Sequence, residues 1–132
     1  MIDGGDWRGV PGAPAETISA LCRLAPAGLP KAYLDLLRTS DGGEGSLPVD
    51  PFNLCLHSAA NVAEAIRTGN YERPDLQGFL VFGSNGGGEF IAFDTRRGAP
   101  WPVVYIDMIA GPERSEPIAA DFDALLPLIG KV

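Results

Sequence analysis

Few residues in this chain have types that do chemistry, and their spacing says what chemistry that would be. The one histidine, His57, stands next to Ser58. Nucleophilic catalysis uses a nucleophile, a base and an orienting group. Ser58 precedes an apolar helical pattern and reads as its N-cap, so it need not meet His57. Two carboxylate pairs have the composition of a glycosidase site, Asp41 with Glu44 and Asp94 with Asp107. Asp94 and Asp107 end predicted strands and are expected to cap turns or accept backbone N–H bonds. Asp41 and Glu44 flank a glycine turn and are expected to be solvated. Carboxylates alone, without EF-hand spacing, make a poor metal site. Cys22 and Cys55 are the only cysteines, with no C-x-x-C spacing, and are expected to be buried free thiols rather than a disulfide. These residues predict no catalysis, no metal and no cofactor.

Ser84-Asn85-Gly86-Gly87-Gly88 is glycine-rich, as phosphate-binding loops are. A phosphate cradle needs a following helix and usually a lysine. Here an apolar run, Phe90 to Phe93, follows, and another, Phe79 to Phe82, precedes. Asn-Gly and Gly-Gly reach positive φ cheaply, so the segment reads as a hairpin turn. Phe90 and Ala92 point to one face, Ile91 and Phe93 to the other. Neither face is polar, so the hairpin is expected to be central and covered by helices.

The 132 residues suit one domain with a real core, and 45% hydrophobic with 20% charged residues is ordinary for a globular chain. The net charge of -7 opposes direct nucleic-acid binding, which needs a basic stripe, and suits a basic partner. The start, MIDGGDWRG, shows no secretory h-region, and no apolar run reaches membrane-spanning length. A cytoplasmic location is the default expectation.

Several elements must position these residues. Residues 1–13 read as a loose N-terminal arm that Trp7 pins to the body, and residues 14–132 as the domain. Ile18, Leu21, Cys22 and Ala25 recur as one face of a first helix after Pro14. Pro30 starts a second, with Tyr33, Leu34 and Leu37 inward, and Gly42-Gly43 supplies a left-handed cap. Residues 45–56 form two short strands interrupted by Pro48 and Pro51, with edge positions expected. Ala59, Val62, Ala65 and Ile66 face inward on a third helix that Gly69-Asn70 closes. Residues 71–77 are a polar connection. Val103 to Asp107 is the last strand, and 110–117 a loop. A final helix starts near Asp121, with Phe122, Leu125, Leu126 and Ile129 inward, and Pro127 kinks or restarts it. The order predicts an α+β domain with a mainly antiparallel sheet and helices packed on one side.

Three ordered blocks carry a resemblance. The first is Leu29-Pro30 before the Tyr33/Leu34/Leu37 helix, then Ser40-Asp41-Gly42-Gly43-Glu44-Gly45. The second is Phe79 to Asp94, with Gly86-Gly87-Gly88-Glu89 and Ala92-Phe93-Asp94. The third is Pro102 to Asp107, then Pro117-Ile118-Ala119 and Phe122. Together they resemble the Smi/Knr superfamily, also called SUKH, over roughly residues 16–130. The resemblance implies an α+β fold without catalytic activity or cofactor. Bacterial members of that superfamily are mostly immunity proteins that bind a cognate toxin, often a nuclease, and fungal members resemble scaffolds in cell-wall regulation.

Binding is the remaining reading. Two acid-bearing turns place Asp41, Glu44, Asn85 and Glu89 as candidate contacts, and Trp101, between Pro100 and Pro102, as a candidate aromatic anchor or a lid on the core. The leading expectation is a cytoplasmic immunity protein, monomer or weak dimer, that blocks a basic toxin by stoichiometric binding. It contacts neither nucleic acid nor membrane. The competing expectation is a scaffold or adaptor domain.

Overall fold

The computed structural model describes Ile2 and residues 4–132. Six strands form one antiparallel sheet in sequence order. They are β1 (Gly43–Ser46), β2 (Asn53–Leu56), β3 (Phe79–Ser84), β4 (Glu89–Asp94), β5 (Val103–Asp107) and β6 (Glu116–Ala119). Each strand pairs with the next, as tight turns favour. The β3–β4 hairpin is central, with Leu80 opposite Phe93 and a register shift between Val81 and Gly83.

The helices are α1 (Ala15–Leu24), α2 (Lys31–Thr39) and α3 (Ala59–Arg67), with a short last helix, Phe122–Leu125. Asp121 caps that helix at the Ala124 N–H, and Pro127 turns it into the 3-10 segment Leu126–Leu128. The helices bury their apolar stripes on one face of the sheet, against Leu80, Phe82, Ile91, Phe93 and Val103. Phe82 and Phe93 stack at 4.3 Å between ring centres, and Tyr33 meets Phe93 edge-on at 5.3 Å. Each such buried aromatic stabilises the fold by about 2–3 kcal/mol. The Tyr33 hydroxyl is buried there without a hydrogen-bond partner.

The hairpin alternation holds, but the covering differs from expectation. Phe79, Val81, Ala92, Val104 and Ile106 form a smaller cluster on the other face with Leu76, and among the described residues no α-helix contributes to it. The 3-10 turn Pro74–Leu76 supplies Leu76. Arg96 lies over the Phe79 ring at 4.7 Å and Arg73 over Phe90 at 5.9 Å. Guanidinium planes and their aliphatic stems can cover apolar rings while staying wet.

Other expectations are corrected. Glu116–Ala119, read as loop and flank, is the edge strand β6, and Pro117 is tolerated because an edge leaves one side unpaired. Cys22 is exposed, because the buried stripe of α1 is narrow and centres on Ile18 and Leu21. Cys55 is half-buried, and both thiols are free. Ser40, in extended conformation, ends α2, so Gly42 and Gly43 do not cap it. Residues 4–13 are not a loose arm; Met1 and Asp3 lie outside the described residues. Asp6 N–H donates to Gly130 O at 2.8 Å, Arg8 pairs with Glu44 in both backbone directions, and Ala13 N–H donates to Leu37 O at 2.8 Å. The Trp7 indole lies on the glycines of β1, where a Cβ at Gly43 would come within 2.6 Å of the ring. Beyond α3, Gly69, Asn70, Tyr71 and Glu72 all have positive φ and make a left-handed turn. Asn70 holds it from inside, donating to Leu76 O and Phe79 O at 2.9 and 3.0 Å. No helix among the described residues is long and apolar enough to cross a membrane.

Candidate functional site

One end of the sheet gathers polar side chains from five segments. It is the end where β4 and β6 begin and where β3 and β5 finish. The turn between β3 and β4 is built by Asn85. Its Oδ1 accepts the Gly87 and Glu89 N–H groups at 2.9 and 3.1 Å, and its Nδ2 donates to Glu89 Oε1 at 3.0 Å. Asx geometry of this kind fixes a turn without bulk. Asn53, at the start of β2, ties the neighbours together. Its Nδ2 lies 3.0 Å from Glu44 Oε2 and 3.1 Å from Asn85 O. Arg8 completes the group, 3.4 Å from Glu44 Oε1. Three of the five predicted contacts, Glu44, Asn85 and Glu89, are thus brought together, and Asn53 is the bridge that sequence reasoning missed.

The other two lie elsewhere. Asp41 is not a solvated turn residue: its Oδ1 accepts the Ala59 N–H at 2.7 Å, capping the start of α3. Trp101 is 3% exposed, with its ring 5.8 Å from Phe93, so it is the lid on the core and not a surface anchor. Glu44 is solvated as expected, its side chain 44% exposed, while Asn53 and then Arg8 bind it and hold its carboxyl below the usual range.

Carboxylates crowd the same end. Glu89 and Asp107 are directly opposite across β4 and β5, and Tyr105 is opposite Glu116. Asp50, from the β1–β2 loop, lies near enough for its charge to act on both Tyr105 and Glu89. Burial, then the charges of Asp50 and Asp107, push the Glu89 carboxyl up. Burial and Asp50 push the Tyr105 hydroxyl up, with Glu116 and Glu89 adding to it. Asp107 is held low because its Oδ1 accepts the Ala110 and Ile109 N–H groups at 2.7 and 2.8 Å, with Arg114 helping. Alternation along β4 and β5 puts Glu89, Tyr105 and Asp107 on one face. Of this cluster only Glu89 was a predicted contact. The signal for the rest was weak, because Asp50, Asp107 and Glu116 are far apart in sequence.

Asp94 and Asp107 are not brought together: they sit at opposite ends of the β4–β5 ladder, about 15 Å apart at strand rise. Ser58 Oγ accepts the Asn61 N–H at 3.2 Å as a helix cap, and burial pushes His57 down. A groove of about 640 Å³ lies near the far end, lined by Ile66, Asn70, Pro74, Phe79 and Leu80 among others. Two of its polar residues are engaged in structure: Asn70 holds the left-handed turn, and Arg73 binds Asp75 at 2.8 and 3.0 Å.

What the acidic end can do chemically is accept. Its carboxylates and Asn85 are acceptors and a small donor set on rigid strand ends, suited to arginine and lysine side chains. A search of curated proteins finds no match to the chain. A family model described as SMI1 / KNR4 family (SUKH-1) matches residues 12–127. The matched span includes all six strands, the three long helices and the acidic end, and with it the chain belongs to the SMI1 / KNR4 family (SUKH-1).

Proposed function

We propose that this chain is a cytoplasmic immunity protein that neutralises a basic toxin domain, in one reading a nuclease, by stoichiometric binding without catalysis. Family membership supports the class. One observation carries the choice of partner: Glu89 faces Asp107 across the sheet, with Asp50 near enough for both charges to push its carboxyl up. Like charges held together in this way relax when a cation from outside joins them. The proposed contacts are Glu89, Asn85, Glu44, Asp50 and Glu116. Asp41 and Trp101 are withdrawn, since one caps a helix and the other is core.

The test is co-expression. A toxin domain captured with the tagged chain from its native host is expressed in a sensitive host, with and without the protein. Restored growth, with a one-to-one complex on size-exclusion chromatography, is the expected result. Continued killing, or a stable complex with a housekeeping assembly in place of the toxin, would replace this reading with the scaffold one.

A further inference from the structure

Phe52 is exposed and left-handed, as Tyr71 is, but Tyr71 has a hydroxyl bound to Asn61 O, whereas the Phe52 ring has no polar atom to bind. The Phe52 side chain is 62% exposed, and its backbone φ is 68°. A bulky residue in the left-handed region is strained, and such strain persists only where surrounding structure over-determines it. Here the β1–β2 loop does so. Phe52 N–H donates to Val49 O at 2.7 Å, and Leu47 N–H donates to Phe52 O at 3.0 Å. Leu47, 2% exposed, roots the loop in the core. Val49, 40% exposed, stands beside it. Two apolar side chains are thus held out into water, with Asp50 between them in sequence and its charge acting on Tyr105.

We propose that Phe52 and Val49 are the apolar anchor of a docking surface for a basic protein whose contact face is an apolar pocket rimmed by lysine or arginine. The inference rests on the reading of this sheet end as the partner-binding site, and it names the part of that site that holds the partner. Charge decides the occupant. Asp50, two residues before Phe52, acts on Glu89 and Tyr105, and these face Asp107 and Glu116 across the ladder, so the anchor stands in the loop that reaches the acidic end. A second copy of this chain would set the same four carboxylates against themselves across a two-fold axis. An anionic membrane or a nucleic acid would be repelled. A basic face gains from the acidic rim in rate and register, and an exposed aromatic entering a pocket gives slow dissociation.

The experiment is calorimetry with the toxin domain captured in the test above, purified and inactivated, as probe. It is run against wild type, F52A, F52G and the double variant D50N/E89Q. The expected result is that F52A and F52G each weaken binding roughly 30-fold or more, as loss of a central anchor does. F52G should melt within about 2 °C of wild type or above it, because glycine accepts this φ without strain. Should F52A not fold, F52G decides by the same criterion. If D50N/E89Q weakens binding but F52A and F52G stay within about threefold of wild type, the anchor is overturned and the acidic site stands. If the probe does not bind wild type at all, the partner reading falls and the anchor with it.

Discussion

The two ends of β4 hold a carboxylate each and treat it in opposite ways. At the far end, Asp94 meets Arg96, whose Nε and Nη2 lie 2.9 and 2.8 Å from its two oxygens. That bidentate bond, with Arg97 nearby, holds Asp94 low. At the near end, Glu89 meets Asp107 across the ladder and Asp50 from another loop, and is pushed up. Both groups are carboxylates on one strand, so the neighbours make the difference. Asp94 finds its cation two residues along the chain. The carboxylates that crowd Glu89 come from separate segments. An acid paired within the chain has little left to offer a partner, whereas an acid crowded by like charge gains from one.

The comparison depends first on a rigid strand. Phe93 lies in the middle of the aromatic cluster, fully buried. F93A is expected to cost about 3–5 kcal/mol in urea unfolding, through lost transfer energy and the cavity left behind. A melting point within a degree or two of wild type would show that β4 does not depend on this cluster.

Asp41 sharpens the contrast between acids that build the fold and acids that face outward. D41A removes the acceptor from the α3 N-terminus and should cost about 1 kcal/mol by denaturant unfolding. Toxin affinity should be unchanged in the remaining folded protein. A loss of affinity without loss of stability would return Asp41 to the binding surface.

Tyr33 tests whether the core beneath both ends is fully satisfied. Burial, then the charge of Asp41, push its hydroxyl far up, so it stays neutral. Y33F should stabilise the protein by about 1 kcal/mol, since it removes a buried polar group that has no partner. A destabilised Y33F would mean that the hydroxyl finds a partner in solution.

The smallest effects bear on the ends directly. D94N should destabilise at pH 7 by a few tenths to about 1 kcal/mol, the usual worth of an exposed pair. Because Asp94 is held low when folded, its contribution is present above the ordinary aspartate range and lost as pH falls through the folded value. E89Q should have the opposite sign. Glu89 is raised when folded, so its repulsion is absent below the ordinary glutamate range and grows as pH rises through the folded value. E89Q should therefore stabilise by a few tenths of a kcal/mol at pH 7 and have no effect near pH 3. Melting curves across pH check both. Equal signs at pH 7 would erase the distinction between the two ends.

Local rules made much of the fold legible. Alternation in β4 assigned Phe93 and Ile91 to one face and Phe90 and Ala92 to the other, because side chains on a strand point to opposite sides whatever lies beyond. Ser58 was readable as a cap because a cap bonds two or three residues ahead. Pro127 ended a helix for a reason contained in its own ring. The order of helices and short-linked strands led to the α+β class, since such links permit only antiparallel neighbours.

Tertiary structure decided what depends on distant partners. Trp101 and Phe52 are both aromatics in proline-flanked loops, yet one closes the core and the other stands in water. Only the path of the chain around them distinguishes the two. Asp41 became a cap because α3 starts beside it, 18 residues later in the chain. β6 became a strand because β5 offered an edge, which outweighed the proline in it. The acidic end exists only once six strands align, bringing Asp50, Glu89, Asp107 and Glu116 within range of one another. Charge count is a property of the sequence, but the field at a surface is set by distances, and distances belong to the fold.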